Sequence, residues 1–142
     1  MAQFRSILVP VDIAEQETAQ PAIERAVELA QASGGIVRLI YVRAILPVTY
    51  MEFVPPSFDT EQQRDAEEKL AAVAAEIPLP QERVSAVVTM GSVYGDVLAE
   101  AENTATDLIV VGSHRPSMAT YLIGSNAARI VRHAKCSVLL VR

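Results

Sequence analysis

Ser6-Ile7-Leu8-Val9-Pro10-Val11-Asp12 is a near-continuous apolar run that stops at an acid. An unbroken run of this kind does not alternate, so both faces of the strand are buried. It therefore reads as a central strand of a parallel sheet, ending at a loop. A helix follows it, with Ile23, Ala26, Val27 and Ala30 on one face at i, i+3, i+4 and i+7. Thr18 is the expected cap, Pro21 is tolerated in the first turn, and Gly34-Gly35 stops the helix.

The same alternation continues along the chain. A second strand is expected over Ile36–Ile45, ended by Pro47. Asp59-Thr60 opens a second helix with Ala66, Leu70, Val73 and Ile77 on its face, and Pro78 and Pro80 close it. Val84–Met90 is a third strand. A third helix from Val93 carries Val97, Leu98, Ala101 and Ala105 on one side, and Leu108–Ser113 is the fourth strand. Gly124-Ser125-Asn126 opens a fourth helix with Ala127, Ile130, Val131 and Ala134 inward, and Ser137–Arg142 is the fifth strand. Strict β-α alternation predicts an α/β fold: one domain over residues 1–142, a doubly wound, Rossmann-like, five-stranded parallel sheet with helices on both faces. The expected strand order is 3-2-1-4-5.

Composition agrees. The 142 residues are 51% hydrophobic and 20% charged, which suits one globular core and excludes global disorder. A formal net charge of −5 argues against nucleic acid as a partner. The basic group Arg129, Arg132, His133 and Lys135 reads as a solvated helix C-terminus. No apolar run reaches the roughly 20 residues of a membrane span, and no signal-peptide pattern is present, so a cytoplasmic location is expected. The single cysteine, Cys136, excludes an internal disulfide and reads as a small buried residue.

Residues Leu46–Thr60 fit neither a helix nor a strand period. They carry three prolines among Tyr50, Met51, Phe53 and Phe58, and read as a long loop. Such a loop either folds over a site or a partner, or packs on its own domain.

In a doubly wound sheet of this order, a crevice opens beyond the carboxyl ends of strands 1 and 4. Asp12 ends strand 1 and can accept hydrogen bonds from a ribose or a base amino group, or cap the next turn. The switch-point position favours the ligand. Gly112-Ser113-His114-Arg115-Pro116-Ser117 is a polar loop after strand 4. The helix opened by Gly124-Ser125-Asn126 offers free N–H groups that suit an anion, or simply a capped helix start. The Walker A pattern and the G-x-G-x-x-G fingerprint are both absent.

The segments ILVPVD, ATDLIVVGSHR and GSNAARIVRHAKCSVLLVR occur in the order typical of the universal stress protein family, which the whole chain resembles. SHRP followed by TYLIGSNAARIVRHA is similar to its F/G-type branch. The nucleotide-binding members of that family carry G-x2-G-x9-G-[ST]. Gly112 matches the first glycine and Gly124-Ser125 the last pair, but Arg115 stands at the middle glycine and the second spacer is one residue shorter. A guanidinium offers planar donors to phosphate, so Arg115 is a candidate replacement for the lost backbone contacts.

The resemblance implies an adenine nucleotide as ligand, ATP or else AMP or ADP, with Mg²⁺ as a possible companion. It places Pro10, Val11 and Asp12 on the adenine and ribose side, and the backbone of Val42 against the base. Gly112, His114 and Arg115 flank the ribose and phosphates, and Gly124, Ser125, Asn126 and Ala127 hold the phosphates. It also implies a homodimer through Ser137–Arg142. Val138–Val141 is apolar on an edge strand, which needs a cover or a partner. No paired carboxylates or metal-spaced histidines appear, and His114 is the one loop group that titrates near neutrality. The expectation is a binding module or dimeric regulatory switch in the stress response. The alternatives are a nucleotide-free interaction dimer and a weak ATPase, with Ser125 and Asp12 placing a Mg²⁺–phosphate group.

Overall fold

A computed structural model describes residues 4–113 and 124–142. Five strands, β1 (Ser6–Pro10), β2 (Ile36–Arg43), β3 (Val84–Met90), β4 (Leu108–Gly112) and β5 (Ser137–Val141), form one sheet in the order β3-β2-β1-β4-β5. All four pairings are parallel. The helices are α1 (Gln16–Ser33), α2 (Val48–Met51), α3 (Phe58–Ala75), α4 (Val93–Asn103) and α5 (Ser125–His133). The expected architecture and strand order are those found.

Two apolar layers flank the sheet. On one face Ala19, Ile23, Ala26 and Ala30 of α1, with Ala66 and Leu70 of α3, pack on Ile7, Val9, Val37, Leu39 and Val110. On the other, Val97 and Ala101 of α4 and Ala127 and Ile130 of α5 pack on Leu8, Ile40, Val42, Ile109 and Val111. Successive β1 residues thus serve opposite layers, which is why its sequence is apolar without interruption. β2 departs from that pattern at two positions. Arg38 Nε meets Glu100 Oε2 of α4 at 2.7 Å, and Arg43 Nη2 meets Asp59 Oδ1 of α3 at 2.9 Å.

Backbone alternation explains where the sheet opens. The carbonyl of Arg5 accepts from Ile36 and the N–H of Val11 donates to the Ile40 carbonyl at 2.8 Å, so odd residues of β1 face β2. Even residues face β4, and Pro10 is one of them. It has no N–H to give. The β1–β2 register runs to Pro10↔Ile40, whereas the β1–β4 register ends at Leu8↔Ile109.

Several local expectations are corrected. Asp12, not Thr18, makes the first cap: its Oδ1 accepts from the Ala14 N–H at 3.0 Å and opens a 3₁₀ turn over Ile13–Glu15 that leads into α1. Thr18 Oγ1 instead donates to the Glu15 carbonyl at 2.8 Å. The turn begins at Asp12 because an acid after an extended residue can hold the N–H two positions on. β1 closes at Pro10, two residues before Asp12, and β2 closes at Arg43 rather than Ile45. β4 and β5 each stop one residue earlier than expected. The stretch 46–60 is no continuous loop, since it holds α2 and the start of α3 at Phe58. Ala105 lies beyond α4, with φ 52°, and Val131 is 48% exposed on the outer side of α5. Cys136 is half-buried, and desolvation pushes its thiol pKa up.

The basic residues at the end of α5 are engaged locally. The Arg129 guanidinium lies 5.0 Å from the centre of the Tyr94 ring, and Lys135 Nζ pairs with Glu102 Oε1 at 2.8 Å. Among the described residues, no helix is long and apolar enough to cross a membrane.

Asp107 fastens the entry of β1 to β4. Its Oδ2 accepts from the Arg5 N–H at 3.0 Å and its Oδ1 from the Ser6 N–H at 3.1 Å. Asp107→Ala leaves both donors without that partner and is expected to lower unfolding free energy by about 1–3 kcal/mol in urea denaturation. An unchanged midpoint would show that water replaces the carboxylate.

Candidate functional site

Where β1 and β4 part, a cleft of about 530 Å³ opens at the carboxyl end of the sheet. One wall is Pro10, Val11 and Asp12, and another is Ile40, Tyr41 and Val42 of β2 with Ala44 just beyond it. Gly112 and Ser113 line its floor, and Gly124, Ser125, Asn126 and Ala127 form its far side. Nine of the eleven residues expected from the sequence therefore line one cleft. The other two, His114 and Arg115, lie outside the described residues.

Each wall has a local cause. Pro10 ends the β1–β4 ladder, and Val11 stays anchored to Ile40, so the chain turns away from β4 at this point. Asp12 is exposed and its Oδ1 serves the 3₁₀ turn. The turn role expected as an alternative is thus present, and Asp12 also lines the cleft. Gly112 has a packing reason: a Cβ there would lie 3.3 Å from the Thr18 carbonyl oxygen of α1. This close approach lets α1 pass over the end of β4.

Gly124 differs. Its φ of −60° and ψ of 151° are open to any residue. Among the described residues, a Cβ at Gly124 would meet only the Ser113 carbonyl oxygen, at an ordinary 3.4 Å. Among the described residues, neither conformation nor packing demands a glycine there. The Gly124 N–H donates to the Ser113 carbonyl, and the Ser113 N–H donates to the Val141 carbonyl at 2.9 Å. These bonds tie the start of α5 to the ends of β4 and β5. The Gly124 carbonyl then takes the Ala128 N–H, which leaves the amides of Ser125, Asn126 and Ala127 as first-turn donors at the cleft. Among the described residues, no side-chain cap bond closes this end of the helix, whose N-cap is Gly124 itself. The electrostatic result is a patch of partial positive charge opposite the Asp12 wall.

Ser113, expected in the polar loop after strand 4, lines the cleft as well, and so do Thr18, Tyr41, Ala44 and Val93, which the sequence did not place there. Ser113 is only 2% exposed and held by backbone bonds on both sides. Its place directly after a buried strand was the available signal. Thr18 and Tyr41 reach the cleft through tertiary placement that periodicity does not carry. Among the described residues, no three His, Cys, Asp or Glu side chains cluster to hold a metal ion.

Comparison with known proteins agrees with the fold and motifs. The universal stress protein family model matches residues 3–142. Universal stress protein G of Shigella flexneri is 34% identical over 142 residues, covering 98% of this chain and 99% of that protein. The structure of universal stress protein UspA from Lactobacillus plantarum aligns with a TM-score of 0.81 at 24% identity over the whole of both chains. A universal stress protein in complex with cAMP aligns at 0.62 with 22% identity, covering 99% of this chain and 98% of that one. The Archaeoglobus fulgidus universal stress protein in complex with dAMP aligns at 0.65 with 19% identity, covering 99% and 100%. The chain belongs to the universal stress protein family, with its F/G-type branch supported by the first of these matches.

Gly112→Ala must push the Thr18 carbonyl oxygen away by a few tenths of an ångström. The expected cost is roughly 1–3 kcal/mol, read as a lower denaturation midpoint. A midpoint equal to the parent would show that α1 shifts freely over β4.

Proposed function

We propose that this protein is a regulatory module of the stress response that binds an adenine nucleotide in the cleft between β1 and β4. The observation that carries this reading is Gly124. The described fold gives it no reason to be a glycine, yet it borders three first-turn amides that face the cleft. A phosphate needs close backbone approach and several N–H donors, and a glycine followed by a helix start offers both. The cAMP and dAMP complexes of family members with the same fold support an adenine nucleotide as the class of ligand.

In this reading Pro10, Val11 and the backbone of Val42 take the adenine ring, and Asp12 takes the ribose hydroxyls. Gly112, Gly124, Ser125, Asn126 and Ala127 take the phosphates, joined by His114 and Arg115 from the connecting segment. ATP is the nucleotide proposed over AMP or ADP, since the first-turn amides of α5 together with Arg115 would offer donors to more than one phosphate. A Mg²⁺ ion would enter with the phosphates and meet the Ser125 hydroxyl. The protein works as a cytoplasmic switch whose partner affinity follows nucleotide occupancy, rather than as a robust catalyst.

Titration calorimetry tests the site. Micromolar ATP binding is expected. Gly124→Asp should abolish it, because the new side chain fills the phosphate position and repels it at short range. Arg115→Ala should weaken ATP and reduce the salt dependence of binding, while changing AMP less. A flat titration at millimolar ATP would favour the nucleotide-free interaction dimer, to which the arginine at the middle glycine position also points.

The dimer is the second part of this reading. The Ser113 N–H donates to the Val141 carbonyl, so odd residues of β5 face β4 and the N–H groups of Val138 and Leu140 point to the open edge. Pairing two copies along this edge would satisfy those donors. Sedimentation should show a dimer, and Val138→Pro should give a folded monomer, because its missing N–H is an outward one. A Val138→Pro dimer would place the interface elsewhere.

A further inference from the structure

A second cavity of about 640 Å³ opens at the same end of the sheet, next to the first. Tyr41 and Ala44 line both. The second cavity lies over the carboxyl ends of β2 and β3, between the first turns of α3 and the stretch that joins β2 to α3. Its wall is apolar for most of its extent: Ile45, Leu46, Val54, Pro55, Phe58 and Met90. Its volume falls in the range of pockets that hold small molecules, roughly 300–1,000 Å³.

The charges in that wall are already paired. Arg43 donates from Nη2 to Asp59 Oδ1 at 2.9 Å and from Nη1 to Gln63 Oε1 at 2.9 Å. Asp65 Oδ2 meets Lys69 Nζ at 2.9 Å. A carboxylate, phosphate or ammonium entering this cavity would lose water and find its counter-charges engaged. Gln62, also in the wall, offers an uncharged donor and acceptor. We propose that this cavity binds an uncharged, largely apolar small molecule whose single hydrogen-bonding end is read by the Gln62 amide. The site lies beside the nucleotide cleft, sharing Tyr41 and Ala44 with it, and its paired charges disfavour a polyphosphate. The inference does not depend on the nucleotide reading.

The test uses N-phenyl-1-naphthylamine, an uncharged fluorophore, and three decyl competitors with the intact chain. The dye should brighten on binding at one site per chain. Decanol should displace it, and decanoate and decylamine should be at least about tenfold weaker. Ile45 is 67% exposed, so Ile45→Asp should fold normally while weakening the dye at least about tenfold by placing a charge in the apolar wall. Gln62→Leu should weaken decanol by about three- to tenfold. Gly124→Asp, which targets the other cleft, should leave dye binding unchanged, so failure of either reading is seen separately. The proposal is overturned by an absent fluorescence response, by equal strength of the three competitors, or by dye binding that ignores Ile45→Asp. It is also overturned if sedimentation shows self-association that Ile45→Asp abolishes and the dye inhibits, since the occupant would then be a second copy.

Discussion

Pro10 stands on the side of β1 that faces β4, where it has no N–H to donate, and the pairing of these strands ends two residues earlier at Leu8↔Ile109. On its other side β1 stays bonded to β2 through Val11. A central strand is thus held on one edge and released on the other. The cost is one ladder hydrogen bond, a net loss of about 1 kcal/mol. The gain is a crevice at the place where the strand order reverses, with side chains from β1, β2, β4 and α5 around it. The later features of the site depend on this release, because a continued β1–β4 ladder would close the space that Asp12 and α5 now border.

The opposite end of the same strand pair is fastened instead. Asp107 gathers the Arg5 and Ser6 N–H groups, so β1 and β4 are locked where they enter the sheet and free where they leave it. Ser113 and Gly124 make a comparable closure on the far side. Their backbone bond, and the bond from Ser113 to Val141, fix the first turn of α5 against the ends of β4 and β5. The first turn of α5 is therefore held beside the cleft by backbone bonds to β4 and β5.

Much of this was legible in the sequence. The uninterrupted apolar run from Ile7 to Val9, and its equivalent in β4, can only be central strands, and their separation by amphipathic helices dictates the winding. That Asp12 and Gly112-Ser113 border a cleft follows from that winding. The helix start at Gly124 was legible as an anion site or a plain cap, whereas Val42 and the rest of the candidate set came from the family resemblance. What stayed hidden had a tertiary cause. Asp12 was expected as a cap of the next turn, but that this turn is 3₁₀ and takes the place of the Thr18 cap at the start of α1 was not legible. Helix α2 is one turn long, too short for a period to register. Val131 fits a helical stripe by spacing, yet α5 packs on the sheet through Ala127 and Ile130 and leaves it outside. The second cavity was only half legible: the 46–60 stretch was open to a place over a site or partner, but its closure against β2, β3 and α3 is tertiary.

The most direct test of the central claim is the amide ¹H–¹⁵N spectrum of the protein titrated with ATP. The account predicts shifts concentrated at Val11, Asp12, Val42, Gly112 and the run from Gly124 to Ala127, with residues at the other end of the sheet, such as Asp107 and Thr106, unmoved. A spectrum unchanged at millimolar ATP, or shifts centred on Ile45, Phe58 and Met90, would contradict it.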